Sequence, residues 1–99
     1  MFFNIQTKNG PMTKEGEYVE MHGIGLMFCP VPGGFAVSHY ATGLALEPLD
    51  AIAEKQAPVG LQEAKDGAAS MFEAHPELRA KIVQKASTIP VINVLPQKR

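Results

Sequence analysis

The spacing of the apolar residues changes near the middle of this chain, and that change limits the folds available to it. In the first half, apolar and polar residues alternate with the two-residue period of a strand, as at Phe3 and Ile5. Between residues 61 and 86, apolar residues recur with a helical period, on a face made of Leu61, Ala64, Ala68, Met71, Phe72, Leu78, Ile82 and Ala86. We therefore predict an α+β fold, in which an antiparallel sheet of about four to five strands is packed by a C-terminal kinked helix or helix pair.

The first predicted strand spans residues 2–7 and ends at the turn sequence Lys8-Asn9-Gly10-Pro11. The next strand segment, residues 17–29, carries apolar residues on both of its parities, which predicts that both faces of the sheet are partly covered. Gly23 and Gly25 interrupt this segment and predict a bulge or a close approach of another backbone.

Three further strands complete the predicted sheet. Residues 30–34, with the sequence Pro-Val-Pro-Gly-Gly, predict a hairpin loop because proline lacks a backbone donor. The chain then returns as a strand over residues 35–40 and, after a turn, forms a brief strand over residues 44–46. A last strand is predicted over residues 89–95, at a sheet edge because of Pro90.

The second half predicts helical structure that one proline interrupts. Leu49, Ile52 and Ala53 have the spacing of a short helix. Pro76 lies inside the long apolar helical face, where it removes a donor and disfavours helix at His75. We therefore expect either a kink or two abutting helices around Pro76.

Length and composition narrow the class of protein. A chain of 99 residues suits one domain, residues 1–99, with one core. The formal net charge of −1 disfavours nucleic-acid binding, and the local basic cluster is Lys98-Arg99. The single cysteine, Cys29, excludes a disulfide within the chain, and the sequence has neither a basic leader nor an apolar run of ~20 residues. We expect a cytoplasmic protein without a membrane segment.

Few side chains suggest chemistry. An enzymatic use of Cys29 would need His22 or His39 beside it as a base. Together with His75, these residues are of the types that bind zinc, but no two of them form a closely spaced pair on one local element. We therefore predict a buried, unreactive Cys29, no metal or other cofactor, and no enzymatic activity.

The segment from Gly34 to Leu46, GFAVSHYATGLAL, is followed by an alanine-rich amphipathic helix. This part of the chain resembles a strand-turn-strand-helix pattern of small accessory proteins of phages and prophages. The resemblance implies a viral protein that works by binding: it would occupy a surface on a host nuclease, recombination or defence complex without turning over a substrate. The resemblance carries over no catalytic residue.

The leading hypothesis is a non-enzymatic protein-binding module, an inhibitor or modulator of a bacterial protein complex. An exposed sheet edge could serve a partner strand or a homodimer equally. The other expected partner-binding residues belong to the proline-glycine loop and to the polar helix face: Val31, Pro32, Gly33, Gly34, Glu63, Lys65, Asp66 and Glu73. Two alternatives stay open, a small Cys/His enzyme or metal-binding protein and a nucleic-acid regulator that uses the Lys98-Arg99 tail.

Overall fold

The computed structural model describes residues 2–7, 10–52 and 59–93, and it has an α+β fold, as predicted. All strand pairs are antiparallel, and they form one two-stranded sheet, β1-β2, and one four-stranded sheet in the order β3-β4-β5-β6. The strands and helices of the described residues are β1 (Phe2–Thr7), β2 (Gly10–Glu15), β3 (Glu17–Met21), β4 (Ile24–Val31), β5 (Gly34–His39), β6 (Ala51–Ile52), α1 (Leu61–Ala74) and α2 (Glu77–Ala86).

Strand β4 is covered on both of its faces, which confirms the prediction from its two apolar parities. Leu26, Met27 and Phe28 are consecutive, and each is completely buried. Successive side chains of a strand point to opposite faces, so three consecutive buried side chains require a layer on each side of the sheet. We call the face of Leu26 and Phe28 the front face, and that of Met27 and Cys29 the back face.

The two helices cover the front face. Ala64 and Ala68 of α1 are buried against it, and their small side chains let the helix axis lie close to the strands. Phe72 of α1 and Ile82 of α2 belong to the same core. Pro76 separates the two helices, so the second of the two predicted arrangements, a pair of abutting helices, is correct.

The β1-β2 hairpin covers the back face. Phe3 packs there with Met27, Cys29 and Tyr40 in a second apolar cluster. The side chain of Asn93 fastens this layer, because its amide donates to the Asn4 carbonyl at 2.8 Å and to the Tyr40 carbonyl at 2.7 Å. Its Oδ1 also accepts the Asn4 amide proton at 2.8 Å. Both polar groups of the side chain are therefore satisfied inside the protein.

The break in residues 17–29 is a hairpin turn, not the predicted bulge. His22 and Gly23 both have positive φ, at 53° and 77°, which is the backbone that a tight two-residue hairpin requires. At Gly25 the close neighbour is a side chain and not a backbone: the Tyr18 ring lies over this glycine, and a Cβ there would be 2.7 Å from the Tyr18 hydroxyl.

The predicted loop over residues 30–34 is shorter than expected, because the β4-β5 ladder continues through Pro30 and Val31. Pro30 is tolerated since its nitrogen faces the β3 side, beyond the last β3-β4 pair, Glu17 with Phe28. The turn itself is Pro32-Gly33, with Gly33 at a φ of 89°.

The segment between β5 and α1 differs from the prediction in two places. Residues 44–46 form no strand, only a single bridge between Ala45 and Ser38. The predicted helix at 49–53 is instead a 3₁₀ turn, Glu47–Leu49, followed by β6. The Asp50 carboxylate accepts the Val37 amide proton at 2.7 Å, which holds this segment against β5 and prevents a helix there.

The prediction of a last strand over residues 89–95 is also wrong for residues 89–93, which pair with no strand. The amides of Ile92 and Asn93 both donate to the carbonyl of Ala41. These hydrogen bonds attach the segment to the loop that follows β5. Residues 94–95, Ala53, the Lys8-Asn9 turn and the Lys98-Arg99 tail lie outside the described residues.

Replacing two glycines by alanine should change the free energy of unfolding in opposite directions. A Cβ at Gly34 would overlap the Ala51 carbonyl, so Gly34→Ala should lower the free energy of unfolding by about 3 kcal/mol. Gly67 lies exposed inside α1 with no atom near a Cβ, so Gly67→Ala should raise that free energy by about 0.5–1 kcal/mol. Urea unfolding followed by circular dichroism measures both. Equal effects of the two substitutions would contradict the close approach of β6 at Gly34.

Candidate functional site

A groove between α2 and the segment before β6 is the candidate site. Its volume is about 220 Å³, and it is lined by Leu44, Ala45, Leu46, Pro48, Leu49, Leu78, Lys81, Ile82 and Lys85. We call it the α2 groove. Seven of these nine residues are apolar, which is typical of sites that bind apolar groups.

Helical spacing forms one wall of the α2 groove, and a hydrogen bond to β5 positions the other. On α2, Leu78, Lys81, Ile82 and Lys85 follow the spacing i, i+3, i+4 and i+7, which places them on one side of the helix. The opposite wall is fixed to β5, because the amide of Leu46 donates to the Val37 carbonyl at 2.9 Å. The walls therefore belong to a helix and to a segment that is hydrogen-bonded to β5.

The floor of the α2 groove is buried and its rim is charged. Leu46, Leu49 and Ile82 form the floor and belong to the main core. Lys81 and Lys85 are exposed, and neither ammonium group forms an ion pair with any residue in the described part of the chain. Lysine stems can lie along an apolar wall while the charged ends stay in water. The groove thus offers an apolar surface beside two unpaired positive charges.

Sequence reasoning missed the α2 groove. The apolar positions Leu78 and Ile82 were predicted as core, which their packing confirms. A signal was present in the lysines that flank them at helical spacing. The sequence did not predict the opposite wall of the groove, because nothing in residues 44–49 indicated which helix they would face.

The predicted partner-binding residues lie elsewhere. Pro32 is exposed at the β4-β5 turn, whereas Gly34 is buried beneath β6. On α1, Glu63, Asp66 and Glu73 are exposed, as expected for a polar helix face. Lys65 is half-buried and lies 3.8 Å from a carboxylate oxygen of Glu17 on β3. A partner contact at these residues stays a prediction.

A second cleft, of about 240 Å³, opens on the back face beside Cys29 and is also lined by Lys14, Ser38 and Asp50. Burial raises the pKa of the Cys29 thiol, and the nearby charge of Lys14 only partly opposes this. Burial also raises the pKa of Asp50, which already accepts the Val37 amide. No histidine lines this cleft, so Cys29 has no imidazole base beside it and stays protonated near neutral pH.

The three histidines contact different residues. The His22 ring packs on Phe72, with ring centroids 5.1 Å apart. His39 shares a 2.9 Å hydrogen bond between its Nδ1 and the Thr42 hydroxyl, and burial lowers the pKa of its imidazole. His75 lies 3.6 Å from a carboxylate oxygen of Glu77. Among residues 2–7, 10–52 and 59–93, no cluster of three or more His, Cys, Asp or Glu side chains could hold a metal ion.

Comparisons with known proteins do not assign the chain to a family. No protein-family model, curated protein or solved structure matches it. Within the described ranges, none of the helices has the length and apolar character needed to cross a bilayer.

The environment of Cys29 predicts that its thiol reacts slowly with thiol reagents in the folded protein. At pH 7.5, Ellman's reagent should react with the folded protein more slowly than with the urea-unfolded chain by roughly an order of magnitude, because the thiol is buried and protonated. Absorbance kinetics measure both rates. A folded-state rate above the unfolded-state rate would indicate an activated thiolate and would revive the enzyme alternative.

The half-buried His39 predicts a loss of stability in mild acid. Because burial lowers the pKa of this imidazole below its ordinary 6.5, the unfolded chain binds the proton first as the pH falls. The His39 contribution is therefore complete above pH 6.5 and decreases as the pH drops from 6.5 towards the lower folded-state pKa. Urea midpoints between pH 8 and 5 should fall less steeply in His39→Asn, which retains a polar atom near Thr42. Identical slopes in both proteins would contradict this assignment.

Proposed function

We propose that this protein is a non-enzymatic protein-binding module whose α2 groove takes an acidic segment of a partner protein. The observation that carries the proposal is the pairing of an apolar floor with two unpaired lysines on the rim, Lys81 and Lys85. An occupant with an apolar side chain and neighbouring carboxylates would match both features.

The size of the α2 groove favours a peptide side chain over a larger ligand. Its volume of about 220 Å³ is below the roughly 300–1,000 Å³ of typical small-molecule sites. A leucine or phenylalanine side chain fits such a volume, and the rest of the occupant would remain on the surface. A larger ligand would leave most of its own surface exposed to water.

The charge of the α2 surface selects the occupant. Three basic residues of α2, Arg79, Lys81 and Lys85, stand against one acid, Glu77, which gives the helix a net charge of +2. Arg79 donates to the His22 carbonyl at 2.7 Å, so its position is fixed, whereas the two lysines remain available. Acidic partners should associate faster than neutral ones, and added salt should reduce this advantage.

The class of partner follows from the resemblance to phage and prophage accessory proteins. On that basis the partner is a subunit of a bacterial nuclease, recombination or defence complex, and the protein acts as its inhibitor or modulator. Binding alone performs such a role, so it needs no catalytic group in the α2 groove.

The test uses two double variants that change net charge equally. Lys81→Gln with Lys85→Gln removes the rim charges, whereas Lys8→Gln with Lys14→Gln removes two lysines outside α2. The probe is a blocked peptide of alternating leucine and glutamate, and fluorescence anisotropy measures its dissociation constant. The rim variant should bind about three- to tenfold more weakly, because each exposed pair contributes about 0.2–1 kcal/mol. The control variant should bind like the unmodified protein.

Capture from a bacterial lysate extends the same comparison to natural partners. A partner retained by the unmodified protein and by the control variant, but lost with the rim variant, would support the proposal. Equal loss with both variants would refute a role for the α2 groove, and so would equal affinity for a peptide with glutamine in place of every glutamate.

A further inference from the structure

Strand β3 forms one edge of the four-stranded sheet. Within the part of the chain that the structure describes, β4 is the one strand that pairs with it. Its neighbour on the front face is Lys65 of α1, which reaches the Glu17 side chain and not the backbone. The Tyr18 ring turns inward over Gly25 and meets Tyr40 edge-on at 5.1 Å. No other strand among residues 2–7, 10–52 and 59–93 therefore pairs with the outer side of β3, which makes this side a candidate edge for a further strand.

The register of the β3-β4 hairpin shows which backbone groups face outward. Met21 and Ile24 flank the two-residue turn, so they form a hydrogen-bonded pair, and the pairs along the ladder then alternate. Glu20 lies opposite Gly25, whose carbonyl accepts the Tyr40 amide and therefore faces β5. The outward positions of β3 are thus Tyr18 and Glu20.

We propose that β3 pairs with the β3 strand of a second copy of this chain, about a two-fold axis at Val19. This register places Tyr18 opposite the partner's Glu20, and it satisfies the amide and carbonyl of both residues in both copies. Two four-stranded sheets become one continuous sheet of eight strands. This surface is separate from the α2 groove, so it does not depend on the proposed function.

The charges on β3 favour this register over the one centred on Glu20. An axis at Glu20 would place two carboxylates directly opposite each other, which is unfavourable. With the axis at Val19, Glu20 faces Tyr18 and Glu17 faces Met21, so no two acids are directly paired. The formal net charge of −1 adds little repulsion between the copies.

A two-fold pairing uses the β3 edge of both copies, so it leaves no free β3 edge for a third copy. Within the described residues, β6 at the other edge comprises Ala51 and Ile52, which offers few backbone groups to another strand. The two-fold pairing therefore closes and produces a dimer, not a fibre.

The first experiment removes one outward donor. Glu20→Pro deletes an amide that makes no bond to β4, so the fold should persist, as circular dichroism will check. Glu20→Ala is the matched control, because it removes the charge but keeps the amide. In sedimentation velocity, the unmodified protein and Glu20→Ala should dimerise, and Glu20→Pro should raise the dimer dissociation constant at least about tenfold. A monomeric unmodified protein at millimolar concentration would refute the proposal.

The second experiment tests the position of the axis. Two copies of Val19→Cys would meet at the axis as a non-hydrogen-bonded pair, with Cα atoms about 4.5 Å apart, within disulfide range. Two copies of Glu20→Cys would be diagonal neighbours, about 7–8 Å apart, beyond that range. Mild oxidation should therefore cross-link Val19→Cys faster, although Val19 is half-buried and Glu20 is exposed. Peptide mass mapping confirms that Cys29 is not involved. Faster cross-linking of Glu20→Cys would overturn the proposed register.

Discussion

Burial of strand β4 on both faces is the constraint on which the other layers depend. A strand with apolar side chains on both parities cannot leave either face in water, so the chain must provide a cover for each. The helices cover the front face, and the β1-β2 hairpin covers the back face. This division explains why the strands form two sheets, since a hairpin that extended the four-stranded sheet would have left Met27 and Cys29 exposed.

Sequence patterns predicted the parts of this fold that local spacing determines. Helical period and Pro76 predicted the two helices, and the parities of residues 17–29 predicted the double burial. The His22-Gly23 turn was missed because two residues inside an apolar run carry little signal. The role of Pro30 depends on which neighbour its nitrogen faces, which only strand pairing decides. The α2 groove depends on contact between segments distant in sequence, so only its lysines could have been noticed.

The near-neutral total charge conceals a separation between the two helices. On α1, three acids, Glu63, Asp66 and Glu73, stand against Lys65, a net charge of −2, whereas α2 carries +2. Adjacent surfaces of opposite sign can bind different partners, or orient one partner that spans both. Composition averages over this arrangement, so the argument from net charge against nucleic-acid binding describes the whole chain and not the α2 surface.

The hydrogen bonds of Asn93 affect the order in which the parts of the molecule fold. They join Asn93 to Asn4 across 89 positions, so the entropy of closing a very long loop opposes their formation. Helices α1 and α2 and the hairpin of β3 and β4 involve neighbouring residues and can form during synthesis. The back-face layer is then completed last, when the ribosome has released enough chain for Asn93 to reach the first strand. Until that moment the β1-β2 hairpin lies on the back face without the two hydrogen bonds that join Asn4 to Asn93.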